Sequence, residues 1–530
     1  MTIIAFTVRY KSPEGELSIH MPNGSESFDR RDLLKATGVA GVAGLAGCTG
    51  GSGGNQSSGF MEQAKKIGFA DGWKKRRMTS LDEWPLEKRK QVPPESKQAS
   101  ADAWKKSGAI KSQPWTPPEG WKDTAAGDVD KIQILNFGSL KYDPATAATH
   151  AMFESQTGIE LDPLEIVVDQ AIPKETAFLQ ADKAKPQMFS VVITDSLSSF
   201  VAGEHLQPID PLMGDDAMWD PVQPVAKQTF NYNNHLYAGP NILEGSLVHT
   251  RPDLLKEQGV DDATIKKIMD GSWSWDDLET AMKAFEGTGT YAWAYRGSSR
   301  VYTLRDFMKL FYQAGGSFAN SDGKVEVNTK AGYTALGKMV EWREKGWVPN
   351  EVVNYGQGDL ADGFLSGQFA MVPVFGDLVP KALEKYKKGD QYRPTLSPKG
   401  GKDVPKPTRA GIASPAGVSV HSNPSTGEKL AAMLYLDARF SHPSAWFEFV
   451  VEGNQSYVNK VYDEASQTGA SAFADVRGKQ MKLNKSEVFP QERPIKQRVS
   501  QECQKAIAGD ISAKKALDNA QDFINTVTGQ

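Results

Sequence analysis

Residues 132–203 alternate apolar strands with helices, and this alternation narrows the fold more than any other feature of the chain. Residues 132–137 read as a buried strand. Asp143-Pro144 opens a helix, with an N-cap oxygen followed by proline at the first helical position, and Gly158 closes it. Residues 159–168 are extended, 172–181 helical, and 188–193 form an apolar strand ending at Thr194-Asp195-Ser196, before a helix through Phe200. Strand, helix, strand, helix, strand predicts an α/β fold, a parallel sheet covered by helices. Ligands of such sheets sit beyond the carboxyl ends of the strands. That points to the loops after Phe137 and Ile193, and to Asp195 and Ser196 as binding residues.

The remaining pattern extends this plan. Residues 230–239 predict a hairpin turning at Asn233-Asn234. Helices follow near 253–258, 276–285, 303–314, 329–344 and 359–366, the second of them opened by Ser274 and the last stopped by Gly367. Residues 369–374 are an apolar strand running into Phe375-Gly376-Asp377, residues 412–420 are extended, 428–440 and 443–452 are paired helices, and the tail from Ser500 is helical. With 530 residues the chain has room for two or three domains. A formal net charge of −4 gives no global attraction to nucleic acid or anionic lipid.

The N-terminal part follows other rules. Arg30-Arg31 precedes Leu33-Leu34-Lys35 and a glycine-rich apolar run that closes on Leu45-Ala46-Gly47-Cys48. The run is too short to span a bilayer, which takes about 20 apolar residues. It has the charged, apolar and small-residue regions of an export signal. The paired arginines resemble a twin-arginine signal, whose machinery exports folded proteins. Residues 45–48 resemble a lipobox, which implies lipid attachment at Cys48 and a body held outside the membrane. Translation is expected to begin at Met21, closer to the arginines. If Cys48 carries lipid, Cys503 has no partner and the fold does not depend on a disulfide. Residues 49–59 read as a flexible tether. Residues 60–128 hold Trp73, Trp84, Trp104, Trp115 and Trp121 among basic clusters. They read either as an extension wrapping a lobe, with tryptophans as pegs, or as a membrane-surface or permease-contact segment.

From Val129 onward the chain resembles the extracellular solute-binding proteins of ABC importers, the branch of maltose and sugar binders. FESQTGI at 153–159, GEHLQPID at 203–210, HLYAGP at 235–240, SWSWDDL at 272–278, QAGGSF at 313–318, FLSGQFAM at 364–371 and the alanine-bearing helix at 509–527 carry the resemblance in order. With its lipid anchor the chain looks most like the archaeal versions. The resemblance implies a two-lobe periplasmic-binding-protein fold of type II. Lobe 1 would be residues 129–240 plus 368–427, and lobe 2 residues 241–367 plus 428–530. Lobes joined by crossover strands would close on a solute in the cleft. It further implies a monomer that hands the solute to permease subunits, performs no chemistry and needs no cofactor or metal.

Sugars require aromatic faces and planar polar groups. By resemblance, Glu244 matches the acidic residue after the crossover proline in several sugar binders, with Asn241 beside it. Phe375 and Asp377 stand where the family often places an aromatic ring, although the familiar tryptophan is missing. In the aromatic, basic run 291–300, Trp293 offers a stacking face, and Arg296 and Arg300 offer pairing to hydroxyls or to an anion. A sugar is favoured, with sugar acids and polyol phosphates kept open by these arginines.

Two other classes remain. No Gly-x-Ser-x-Gly elbow, Gly-Lys-Ser/Thr phosphate loop or His-Glu-x-x-His is present, and the seven histidines are scattered. Acid pairs such as Asp215-Asp216 and Asp276-Asp277 suit helix starts and loops, yet a lipid-anchored glycan-processing enzyme with two facing carboxylates stays open. So does a structural lipoprotein glycosylated at Asn55, Asn454 or Asn484.

Overall fold

The computed structural model describes residues 54–69 and 115–530, apart from 138–139, 141–142, 167, 182, 192, 213–221, 299–300, 320–323, 488 and 490. The export signal with Cys48, and Trp73, Trp84, Trp104 and Arg300, lie outside the described residues.

Among the described residues eleven strands form: β1 (Lys131–Phe137), β2 (Glu160–Ile166), β3 (Met188–Val191), β4 (Asn231–Tyr232), β5 (His235–Leu236), β6 (Ala238–Thr250), β7 (Tyr291–Trp293), β8 (Phe369–Phe375), β9 (Arg393–Thr395), β10 (Gly411–Val420) and β11 (Asn484–Lys485). Nine of them join in one hydrogen-bonded path, β2-β1-β3-β10-β6-β8-β7, with β11 on β10 and β9 on β6. β1 runs parallel to β2 and β3, whereas β10 runs antiparallel to β3 and β6. The local starts and stops follow the side-chain chemistry. Asp143 accepts the Thr146 amide at 2.9 Å, Pro144 takes the first turn of the helix Pro144–Thr157, and Gly158 ends it at φ +79°. Asn233 and Asn234 both adopt positive φ and turn β4 into β5. The strand expected over 188–193 stops at Val191. Ile193 already begins the helix Ile193–Ala202, so Asp195 and Ser196 lie in its first turn.

Buried side chains gather into two bodies of core. The first draws on residues 60–243 and 413–481. The second draws on residues 247–412 and 489–524. These divisions differ from the expected lobe boundaries. Residues 369–412 belong with the second core, because β8 pairs with the far half of β6 and with β7. The helix Thr426–Arg439 and its neighbours up to Met481 belong with the first. Long β6 explains the geometry. Its first part, to Gly245, pairs with β10, and its second part, from Ser246, pairs with β8.

The chain therefore crosses between the cores three times, at Gly245-Ser246, at Ile412-Ala413, and near Asn484. The crossings touch. Asn484 Nδ2 donates to the Ser246 carbonyl at 3.3 Å, and the Ile412 amide donates to Ser246 Oγ at 3.2 Å. Packing is close here: a Cβ on Gly411 would stand 2.3 Å from Asn484 Oδ1, and one on Gly245 would stand 2.6 Å from Met481 Sδ, so those side chains would have to shift. Asn484, buried in this junction, is not a surface glycosylation position.

The N-terminal segment is also reassigned. The expected flexible tether ends early, because Gly54 starts the helix Gly54–Ile67. Phe60, Ala64, Ile67, Phe69, Trp115, Trp121 and Ala126 are all buried in the first core. Trp115 Nε1 donates to Asp437 Oδ2 at 2.8 Å, and Gln63 Oε1 accepts the Ala125 amide at 2.9 Å. Trp115 and Trp121, the two tryptophans of this segment that are described, are thus pegs in the first core.

Candidate functional site

The junction of β6 and β10 lies where the two cores meet, and the partly exposed side chains of Glu244 and Arg305 mark an opening to solvent there. Glu244 stands directly opposite Ser414 in the β6–β10 register, so the two side chains share one face of the sheet. From the second core, the helix Val301–Gln313 sends Arg305 to both: Nη2 donates to Ser414 Oγ at 2.8 Å, and Nη1 lies 3.9 Å from Glu244 Oε2. Glu244 keeps 38 % of its side-chain exposure and Arg305 keeps 17 %. Protein surrounds the Glu244 carboxyl on most sides, yet its surface still faces the opening. Lost hydration pushes it up to about 6; Arg305 draws it down, Asp377 pushes it further up, and Arg296 draws it down again.

The strand end of β8 supplies the neighbouring wall. Phe375 is buried, with the guanidinium carbons of Arg296 and Arg305 each 5.4 Å from its ring centroid. Asp377 follows it, partly open to solvent and 3.6 Å from Lys381. Burial raises its carboxyl, against the pull of Lys381. Gln455, on the chain returning through the first core, donates its amide to the Leu243 carbonyl at 3.0 Å and packs against Gly376.

The other expected residues are placed elsewhere. Asn241 is the extra residue of a bulge in β6 opposite Ala416-Gly417. Its side chain is buried against the first core, where Oδ1 accepts Arg439 Nη2 at 2.5 Å and Nδ2 donates to Ser190 Oγ at 3.3 Å. Trp293, in β7, is 3 % exposed and meets Trp273 edge to face, with centroids 6.4 Å apart. It is a core ring beside a water-sized cavity, not a platform on the opening. Arg296 is fully buried: it holds Asp306 through two contacts of 2.9 and 3.1 Å and donates to Gln357 Oε1 at 2.7 Å. Arg296 thus braces the second core behind Phe375. Asp195 and Ser196 have their backbone in the helix after β3, but their side chains, like Arg300, lie outside the described residues.

Sequence reasoning missed Arg305, Ser414 and Gln455. Arg305 left a trace, because Arg305-Asp306, with Lys309, interrupts the apolar residues Leu304, Phe307, Met308, Leu310 and Phe311. Among the described residues, no group of three His, Cys, Asp or Glu is placed to hold a metal ion, and no helix is long and apolar enough to cross a membrane.

Comparison with known proteins agrees with this architecture. Maltose-bound T. maritima MalE3 superposes with a TM-score of 0.63 at 18 % identity, over 75 % of this chain and 99 % of that one. A solute-binding protein from Thermotoga lettingae bound with α-D-tagatose also gives 0.63, at 17 % identity and 75 % and 99 % coverage. Lmo0181 from Listeria monocytogenes in complex with cycloalternan gives 0.61, at 19 % identity and 76 % and 100 % coverage. The fold is that of the two-lobe periplasmic sugar-binding proteins. No curated protein sequence gives a significant match. The family model for bacterial extracellular solute-binding proteins matches residues 136–438, more than half of the chain, and the chain belongs to that family.

Proposed function

We propose that this protein is the membrane-anchored, extracellular solute-binding component of an ABC importer. It captures a sugar or oligosaccharide by closure of its two lobes and delivers it to the permease. The observation that carries this reading is the Glu244–Arg305–Ser414 constellation, brought from both cores to the place where the crossover strands meet. A carboxylate accepts hydroxyl hydrogens and a guanidinium donates to hydroxyl oxygens, so the constellation is complementary to a polyhydroxylated solute. Structural neighbours bound to maltose, tagatose and cycloalternan support the choice of ligand class.

In this reading Asp377 takes a further hydroxyl, Phe375 shapes the wall, and Asp195, Ser196 and Arg300 are further ligand-binding residues. Trp293, Asn241 and Arg296 act as supports. Cys48 carries the lipid, the paired arginines direct export of the folded body by a twin-arginine route as in archaeal lipoproteins, and the protein works as a monomer. The helix Gly54–Ile67, downstream of Cys48, packs onto the first lobe through Phe60, Ala64 and Ile67.

A thermal-shift series with maltose, tagatose and ribitol tests the reading. A ligand at a hundred times its dissociation constant adds about 2.7 kcal/mol of stability. At least one sugar is expected to raise the melting temperature of the wild type, and Glu244→Ala is expected to remove that rise while the unliganded protein melts normally. A sugar-induced rise that survives Glu244→Ala would place the solute elsewhere.

A further inference from the structure

We propose that Glu244 and Arg305 form a charge filter that admits uncharged, hydroxyl-bearing solutes and turns away their carboxylate counterparts. The proposal rests on the sugar-binding reading above and assigns the selectivity of that site. Most cations around the opening are already committed within the protein. Arg296 is held by Asp306 and Gln357, and Lys309 donates to Asp306 and to the Pro373 carbonyl. Lys381 lies beside Asp377. Arg477 donates to the carbonyls of Gly453 and Asn454 and to Ser471 Oγ, with its guanidinium carbon 3.8 Å from the Phe449 ring centroid.

Arg305 reaches the opening, but with Glu244 3.9 Å away and Asp377 acting on the same carboxyl. An acidic solute that pairs with Arg305 must therefore sit against Glu244, and two carboxylates held that close repel. A hydroxyl meets no such conflict: it accepts from Arg305 and donates to Glu244 at the same time. Arg305 carries the attraction that would favour an acid, and Glu244 cancels it.

Matched solute pairs test this: maltose against maltobionate, and ribitol against ribonate, titrated into the purified protein at pH 7.5. The wild type is expected to bind the neutral member at least tenfold more tightly than the acid. Glu244→Gln, which keeps the shape and removes the charge, is expected to narrow that ratio at least tenfold by gaining affinity for the acid. The double variant Glu244→Gln/Arg305→Gln is expected to lose the gain, which a merely structural role for Glu244 would not produce. Equal binding of both members by the wild type, or an unchanged ratio in Glu244→Gln, overturns the filter and leaves the binding cleft standing. Absence of binding by every solute to every variant, with melting unchanged, overturns the sugar-binding reading and the filter with it.

Discussion

Replacing Trp115 by alanine is expected to destabilise the protein by about 3–5 kcal/mol, although the residue lies in a tryptophan-bearing segment upstream of the first strand. Its ring is fully buried in the first core and its Nε1 donates to the buried carboxylate of Asp437. The substitution opens a cavity between residues 115–128 and the helix Thr426–Arg439, and it takes a donor from Asp437. The contact there is tight: a Cβ on Gly427 would lie 2.4 Å from the Ala125 carbonyl oxygen. Trp115→Phe keeps an aromatic ring but loses the N–H and part of the indole volume, so its cost should be smaller, about 1–3 kcal/mol. Urea unfolding measures both. A Trp115→Ala midpoint equal to that of the wild type would mean that the segment is a detachable appendage.

Arg439→Ala is expected to cost a further large amount, about 3–5 kcal/mol, for a different reason. Arg439 is fully buried, with Nη2 3.0 Å from Glu448 Oε1 and bonded to both oxygens of Asn241. Burial already pushes Glu448 up to about 7, against the pull of Arg439. Without the arginine, the carboxylate is left in the core with no counter-charge and is driven to take up a proton. A carboxyl whose folded pKa lies above its unfolded value favours the folded state in acid and disfavours it as pH rises through that value. The deficit of Arg439→Ala should therefore be smaller at pH 5 than at pH 8, and Arg439→Met/Glu448→Leu should recover most of the loss at both. A deficit independent of pH would show that packing, not charge, is what the arginine contributes.

These two residues show where sequence reasoning succeeds and where it stops. Asp143 with Gly158, Ser274 and the Asn233-Asn234 turn were legible because a cap or a turn is settled by residues within a few positions. The assignment of residues 369–412 and 430–481 to their cores was not legible. Local pattern makes a strand or helix, but which core receives it depends on pairing with β6, more than a hundred residues earlier. The site divided in the same way. Glu244 sits on crossover strand β6 and keeps 38 % of its side-chain exposure. Arg296 looked equally free in the sequence, but Asp306, ten residues on, engages it inside the core. Trp293 sits in β7, at the end of the sheet, with its ring against Trp273, and a run of aromatic letters does not distinguish a core ring from an exposed one.

Calorimetric titration of the purified protein with maltose, tagatose and ribitol, followed by recovery of the sugar, tests the sugar-binding role most directly. That role predicts saturable one-to-one binding of at least one of them, a negative heat-capacity change from burial of apolar surface as the lobes close, and a sugar recovered unaltered. Absence of saturable heat with all three, in a protein that still unfolds cooperatively, would contradict it. So would recovery of a cleaved or rearranged sugar, which would place the chain among glycan-processing enzymes.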